Sequence, residues 1–339
     1  MSASPANPAR SGASSGRSWD SFLSAGALLL MVVVLAVVIA SIEPRFLRKA
    51  NLFNVLRNTS FLAIVSAGQM LVLIVGGFDL SVGAVVALTS ITTASVMAAL
   101  MHAFPEAVPI VIFVGIGAGI LAGAGIGLIN GLCVAFLRVS PFMVTLGTLS
   151  IASGIALYYT TGIPVYGMPR EFTKEFGRAI VLGLPAAIFV AVAIIGAVWF
   201  MQRRTRFGRY VYAIGGNMQA ARVSGVPVNY YLICTYVLCS ALAAVTGVLL
   251  TARIGSGQAT MGSTLMLESI AAAVIGGVSL RGGVGRVELV ALSALFLSII
   301  TNGMNLIRID SKIQTLVLGV VLILAVAFEQ WNERRRNRV

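Results

Sequence analysis

The sequence predicts an all-α fold, a polytopic membrane bundle of about ten transmembrane helices. Of the residues, 58% are hydrophobic and only 10% are charged, whereas a soluble domain of this size carries roughly 25% charged residues. The apolar residues form continuous runs that are long enough to cross a hydrocarbon layer about 30 Å thick. Because lipid cannot satisfy backbone polar groups, and because the runs do not alternate with polar residues, helices are predicted rather than a β-barrel.

The apolar stretches define the predicted spans, since a helix needs about 20 apolar residues to cross the layer. The spans are placed approximately at residues 22–42, 54–75, 80–101, 108–137, 142–162, 184–202, 229–252, 263–280, 287–307 and 312–330. Together they form one membrane domain over residues 21–331. A disordered cytoplasmic tail is predicted over residues 1–20, and a basic cytoplasmic tail over residues 332–339.

The basic residues predict the orientation of the bundle. The formal net charge is +13, but the Lys and Arg residues lie between apolar spans, which is typical of membrane orientation and argues against a nucleic-acid partner. The segment 203–228 has no acidic residue and contains Arg203, Arg204, Arg206, Arg209 and Arg222. Because basic loops stay in the cytoplasm, this segment and both termini are predicted to be cytoplasmic. The basic connection at residues 45–49 would then lie outside, which fits the rule poorly.

Glycines recur at every fourth position of the fourth predicted span, at Gly115, Gly119, Gly123, Gly127 and Gly131. On a helix this spacing gives one face without side chains, along which another helix can pack closely. Close helix packing is the simpler interpretation. A surface that moves during function is the alternative.

Polar and aromatic residues at membrane depth are the candidates for a translocation path or gate, namely Asp79, Ser81, Phe142, Thr145, Glu268, Asn302 and Asn305. A carboxylate at this depth is costly unless it is paired or hydrated. The alternatives are structural. Asp79 and Ser81 could cap the next helix, and Glu268 could favour a helix N-terminus. The two asparagines lie three residues apart on one helix face and could bond neighbouring helices.

The connection within residues 203–228 contains a short segment, Met218 to Val223, that is compatible with a helix. Asn217 can cap its start, Gly225 can end it, and Pro227 follows directly. A short capped helix in a long basic loop indicates a docking element for a partner protein. A passive ordered loop is the alternative.

Two segments with paired glycines resemble each other, IVGGFDLSVG from Ile74 and VIGGVSLRGG from Val274. Membrane transporters are often built from repeats, and spans interrupted by glycine at corresponding places mark the transport path. An internal repeat is therefore a possible feature of the fold. With 36 glycines in the chain, coincidence is the competing explanation.

Motifs for catalysis are missing from the sequence. There is no phosphate loop of the GxxxxGK[ST] kind, no HExxH and no Ser/His/Asp set, so a membrane enzyme is disfavoured and no cofactor is expected. Cys133, Cys234 and Cys239 lie within apolar spans without CxxC spacing, so no metal or disulfide is expected.

Taken together, these segments resemble the permease subunits of ribose-, xylose-, arabinose- and galactose-type bacterial ABC sugar importers. The resemblance covers residues 51–328 and is carried by NLFNVLRNTS, GGFDLSVGAVVALT, SPFMVTLGTLS, YTTGIPV, TRFGRYVYAIGGNMQAARVSGV and ESIAAAVIGGVSLRGGVGRV. It implies a subunit of about ten helices in a bacterial inner membrane that forms the translocation path for a monosaccharide or similar polyol. Related permeases carry branched-chain amino acids or nucleosides, so the family alone does not determine the solute.

The resemblance also implies partners. These are a cytoplasmic ATPase with two nucleotide-binding domains, a periplasmic sugar-binding protein, and a second permease subunit, identical or similar. The segment 203–228 would hold the ATPase-coupling loop, with Gly215, Asn217, Ala220, Ala221, Arg222, Ser224 and Gly225. The alternative function is a proton-coupled secondary transporter that uses Asp79 or Glu268.

Overall fold

The structure is a computed structural model that describes the backbone of residues 16–336 and the side chains of residues 25–327. It is a helical bundle, as predicted. Its helices are α1 (Gly16–Ile42), α2 (Lys49–Ile74), α3 (Val82–Ala103), α4 (Val108–Phe136), α5 (Pro141–Thr160), α6 (Ala186–Arg204), α7 (Arg206–Gly216), α8 (Met218–Val223), α9 (Val228–Ile254), α10 (Leu265–Ile275), α11 (Val287–Leu306) and α12 (Ser311–Arg336). The connections hold a 3-10 turn (Pro44–Leu47), a π-helical turn (Phe172–Gly177) and a hairpin of β1 (Ile180–Val181) and β2 (Leu184–Pro185).

The number of full spans differs from the prediction. Within the described residues, eight helices are long and apolar enough to cross a membrane, namely α1 to α6, α9 and α11. The predicted span 263–280 is wrong as a full helix, because α10 covers only Leu265–Ile275, roughly 16 Å at about 1.5 Å per residue. Gly276 and Gly277 end the helix, and Gly255 and Gly262 break the helical chain before it. A mean hydropathy over the whole stretch does not detect these breaks. The predicted span 312–330 is α12, whose apolar part in the described residues is Ser311–Ala327.

The ends of the chain also differ in part from the prediction. Helix α1 begins at Gly16, so residues 16–20 of the predicted disordered tail are helical. No glycine or proline lies between Gly16 and Gly26, which lets the helix of the first span extend backward. Helix α12 likewise continues through Arg336. The remainder of the two predicted tails, residues 1–15 and 337–339, lies outside the described residues.

The helix connections lie on two opposite faces of the bundle. The first, which we call the 161–185 face, also carries the start of α2 and the end of α11. There Asn51 and Asn302 exchange two amide hydrogen bonds of 2.9 Å. The backbone of Val165 pairs with that of Gly257, with N–O distances of 2.8 and 2.9 Å. These contacts place the ends of α2, α9 and α11 and the long connection after α5 on the same side.

The second face, which we call the 205–227 face, carries α7 and α8 together with the connections that follow α2 and α10. Arg203, at the end of α6, forms an ion pair of 2.6 Å with Glu288, at the start of α11. The amide of Gly283 donates to the carbonyl of Ile74 at 2.8 Å, which ties the connection after α10 to the end of α2. Both glycine-containing connections of the suspected repeat therefore meet on this face.

The two similar segments end their helices in the same way. After α2, Gly76 has φ of 78° and the amide of Gly77 donates to Val72. After α10, Gly277 has φ of 76° and the amide of Val278 donates to Ala273. Both are Schellman-type ends that require a left-handed residue, which glycine adopts without strain. In the structure Gly76 therefore corresponds to Gly277, whereas the match in the sequence aligns Gly76 with Gly276.

The glycine face of α4 lies against α3 and α9. All five glycines are buried. A Cβ atom at Gly127 would lie 2.6 Å from the carbonyl oxygen of Tyr236, and one at Gly131 would lie 2.7 Å from the Cα of Ile233. Nearer the start of α4, a Cβ atom at Gly115 would contact Met97 of α3, and one at Gly119 would contact Thr93 of α3. The backbone of α4 is thus in direct contact with both neighbouring helices.

Candidate coupling surface and transport path

The predicted docking segment contains two helices, α7 and α8, and only α8 had been expected. Thr205 caps α7 by accepting from the amide of Gly208 at 3.3 Å. Asn217 caps α8 by accepting from the amide of Ala220 at 2.9 Å, and Gly225 leaves the helix with φ of 81°. The cap and the left-handed glycine therefore lie where the sequence predicted them.

The residues of the predicted coupling loop divide into two groups. Asn217, Ala220, Arg222, Ser224 and Gly225 are exposed on α8 and its ends. Gly215 and Ala221 instead face the bundle, and Ala221 is 5% exposed. The exposed side of α8 also carries Met218 and Val223, of which Val223 is 89% exposed. Because exposed apolar side chains beside a cation are typical of protein interfaces, this surface is suited to a protein partner.

Helix α7 is attached to the connection between α10 and α11. The hydroxyl of Tyr212 donates to the carbonyl of Gly285 and accepts from the amide nitrogen of Gln202 at 3.0 Å. The side-chain oxygen of Gln202 accepts from the backbone amide of Val287 at 3.3 Å. Burial, aided by the nearby Glu288 carboxylate, raises the pKa of Tyr212 to about 12. Tyr212 therefore remains a hydrogen-bond donor at any physiological pH.

The end of α7 packs on the backbone of two parts of the chain, the C-terminal end of α2 and the connection that follows α10. A Cβ at Gly215 would collide with the carbonyl oxygen of Ile74 and would lie 2.5 Å from the amide nitrogen of Gly283. In contrast, a Cβ at the neighbouring Gly216 would have no atom within 4 Å. Since Gly215 is the point of closest approach, a movement of α7 would act directly on the C-terminal end of α2 and on the connection before α11.

Asp79 and Ser81 belong to a buried polar network that links α3, α4 and α5. A carboxylate oxygen of Asp79 accepts from the amide and the hydroxyl of Ser81, at 2.9 and 2.5 Å. Asn130 of α4 donates to the Ser81 hydroxyl at 3.0 Å, and Thr148 of α5 donates to the Asn130 side-chain oxygen at 2.7 Å. Asp79, Ser81 and Asn130 are fully buried. Ser81 stands at the N-cap position of α3 without a side-chain cap bond, so the capping alternative drawn from the sequence is wrong. The structure instead joins Asp79 and Ser81 to an amide and a hydroxyl on other helices.

Replacing Asp79 separates a structural role from a proton-coupling role. Asp79→Asn keeps the oxygen that accepts from Ser81, so we expect thermal stability and solute uptake close to those of the parent. Asp79→Ala leaves the buried amide and hydroxyl of Ser81 without their acceptor, and we expect a loss of about 1–3 kcal/mol of stability, the usual cost of an unsatisfied buried polar group. Unfolding in detergent and uptake in vesicles are the measurements. Abolished uptake in a stable Asp79→Asn protein would contradict this expectation and favour proton coupling.

The other path candidates do not form one cluster. Thr145 is buried and its hydroxyl donates to the carbonyl of Pro141 in its own helix, whereas Phe142 is 48% exposed near the 205–227 face. Asn302 pairs with Asn51 near the opposite face. Asn305 accepts from Gln314 of α12 at 2.9 Å, so it ties two helix ends together. Glu268 lies in the first turn of α10. Both asparagines thus hold helices together in this structure.

Sequence reasoning missed Asn130 and Thr148 as members of the network. An amide within the glycine-rich span α4 was a usable signal, because a polar side chain in an apolar span needs a partner. Its partner was not readable, since Ser81 and Asn130 lie far apart in the chain. The contribution of Tyr212 was also missed, although a tyrosine on an amphipathic helix beside basic residues is typical of a helix that lies along a membrane-facing surface.

These features define a polytopic membrane protein with a short exposed helix, α8, between its spans. The chain belongs to the family described as branched-chain amino acid transport system / permease component, whose model matches residues 51–326. Its relatives are named as permeases, and the chain is a multi-pass transport subunit of a bacterial import system rather than an enzyme.

Three relatives illustrate the similarity. The chain is 38% identical over 301 residues to the ribose import permease protein of Escherichia coli, with 88% of this chain and 91% of that protein covered. It is 35% identical over 302 residues to the ribose import permease protein of Bacillus subtilis, with coverage of 89% and 91%. It is 36% identical over 330 residues to the galactose/methyl galactoside import permease protein of Escherichia coli, with coverage of 95% and 98%. No matching solved structure was found.

Proposed function

We propose that this chain is the membrane-spanning permease subunit of an ATP-driven importer for a monosaccharide or similar polyol. The observation that carries the proposal is its similarity, over nearly the whole chain, to permeases named for the import of ribose and of galactose. Those names describe the relatives, and the solute of this chain is inferred from them. The permease forms the path, while partners supply energy and deliver the solute.

The partner ATPase docks on α8 and its ends. The argument rests on the exposed Met218 and Val223 beside Arg222, and on the sequence, which lacks a phosphate loop for nucleotide binding. A cytoplasmic ATPase with two nucleotide-binding domains would contact two such helices, one from each of two permease subunits. The second subunit is an identical copy or a similar chain. ATP-driven closure of the ATPase would then move α7 and α8 against the rest of the bundle.

The orientation follows from the charges and from the two faces of the bundle. We propose that the 205–227 face is cytoplasmic, since it carries Arg204, Arg206 and Arg209. Both termini then lie in the cytoplasm of a cell with this subunit in its inner membrane. The 161–185 face lies in the periplasm, where a sugar-binding protein delivers the solute. The 3-10 turn after α1 lies on the periplasmic side, and its Arg45 is neutralised by an ion pair of 2.6 Å with Glu43.

The test is uptake of labelled monosaccharides and polyols into vesicles that contain the purified chain. We expect uptake only when the co-encoded ATPase, the binding protein and ATP are all present, and the panel of solutes identifies the substrate. Val223→Asp is expected to abolish uptake and ATPase binding without unfolding the bundle, because this side chain makes little contact with the rest of the chain. Uptake by the chain alone, driven by a proton gradient, would overturn the proposal.

A further inference from the structure

The chain between α9 and α10 is not helical, although it lies beside the middle of α3. At its start, a Cβ on Gly257 would lie 2.6 Å from Ala94 and 2.9 Å from the carbonyl oxygen of Ser90. Further along, a Cβ on Gly262 would lie 2.7 Å from Val86. The segment therefore descends along α3, from the level of Ala94 to the level of Val86, before α10 begins.

The depth of this descent follows from the helices around the start of α3. The hydroxyl of Ser81 is bonded to Asn130, which lies roughly 9 Å from the end of α4 on the 205–227 face, at about 1.5 Å per residue. The carbonyl of Phe78 accepts from Tyr236, roughly 12 Å from the start of α9. Val86 lies further still from that face. The non-helical segment thus reaches the middle of a layer about 30 Å thick.

Polar side chains on this segment are exposed at that depth. Thr260, Ser263 and Thr264 are all exposed, and the half-buried Glu268 follows one helical turn after Thr264 on the same side of α10. Thr264 stands at the N-cap position of α10, yet its side chain does not cap the helix. Non-helical backbone and polar side chains do not occur against lipid tails. They are tolerated at membrane depth where they are buried in protein or line a water-filled cavity.

We propose that Thr260, Ser263, Thr264 and Glu268 line the solute-binding part of the transport path near the middle of the membrane. The inference rests on the proposed function, since it takes the solute to be a polyol. Hydroxyl and carboxylate groups pair well with the hydroxyls of an uncharged sugar, and a carboxylate disfavours an anionic solute. Helix α10 spans the remaining half of the layer, so a half-helix begins at the site. This arrangement is typical of discontinuous helices at a transporter binding site.

The experiment uses introduced cysteines in the full importer. In a background with Cys133→Ala, Cys234→Ala and Cys239→Ala, single variants Ser263→Cys and Thr264→Cys are treated with a charged methanethiosulfonate that is supplied on both sides of the vesicle membrane. The matched control is Leu128→Cys, an exposed apolar position of α4 at roughly 12 Å from the helix end. We expect the two path cysteines to react and Leu128→Cys to remain unmodified.

The transported sugar should slow the labelling of Ser263→Cys and Thr264→Cys. Modification of either cysteine should block uptake while ATP hydrolysis continues. Lack of reaction at both positions would overturn the proposal, as would a spontaneous disulfide between two copies through Ser263→Cys, which would assign the segment to a subunit interface. If the parent importer carries none of the sugars tested, the proposed function fails. Labelling of the two cysteines by the water-soluble reagent then still decides whether the segment lines an aqueous path.

Discussion

Gly127→Leu is expected to prevent α4 from packing on α9. At this position even a Cβ would lie 2.6 Å from the carbonyl oxygen of Tyr236 and 2.8 Å from the Cβ of Ser240. A backbone carbonyl cannot rotate away as a side chain can, so the helices must separate along the whole glycine face. We expect a loss of about 3 kcal/mol or more, at or above the upper end of the usual cost of overpacking. The measurement is thermal unfolding in detergent, with size-exclusion chromatography to detect aggregation.

Gly125→Leu is the matched control, in the same helix and with the same added side chain. A Cβ at Gly125 has no atom within 4 Å. Because glycine is a poor helix former, leucine there should leave stability unchanged or raise it by up to about 1 kcal/mol. Equal stability of the Gly127→Leu and Gly125→Leu proteins would show that the glycine face is not a close-packed contact.

Gly215→Ala is expected to uncouple ATP hydrolysis from uptake. The added methyl group collides with the carbonyl of Ile74 and comes too close to the amide of Gly283. Helix α7 must therefore move away from the end of α2 and from the connection that follows α10. The exposed surface of α8 is unchanged, and the ATPase should still bind. We expect uptake per ATP hydrolysed to fall about tenfold, the effect of a coupling free energy near 1.4 kcal/mol. The measurement is the ratio of labelled solute taken up to phosphate released.

The control for this variant is Gly216→Ala, one residue further along. A Cβ there meets no atom within 4 Å, so the ratio should equal that of the parent. An unchanged ratio in a Gly215→Ala importer that folds and binds its ATPase would show that the contact of α7 with Ile74 and Gly283 does not transmit movement. A fall of the same size in both variants would indicate that the alanines act on α7 itself and not through that contact.

The positions of most helices could be read from the sequence, because an apolar run of about 20 residues has few alternatives in a membrane. The short helix α8 was also readable, since Asn217 and Gly225 are local signals that act within one or two turns. Helix α10 was not read correctly. Its residues are as apolar as those of a full span, and the glycines on both sides lower the helical tendency without lowering the hydropathy.

The sequence also identified residues without identifying their partners. Asp79 and Ser81 were recognised as costly at membrane depth, and Asn302 as an amide that needs a partner. Only the fold shows that the Ser81 hydroxyl accepts from Asn130 and that Asn302 pairs with Asn51. These contacts join distant parts of the chain, and nothing local determines which polar groups become neighbours.

By itself, the sequence determined that the chain is a helical membrane protein, that its basic connection holds a short capped helix, and which family its motifs resemble. Composition and local caps suffice for these conclusions, because lipid imposes helices and short-range hydrogen bonds end them. The tertiary structure decided that Gly215 contacts Ile74 and Gly283, and that the segment before α10 runs beside α3 from the level of Ala94 to the level of Val86. Both depend on how closely backbones can approach, which is set by the packing of whole helices.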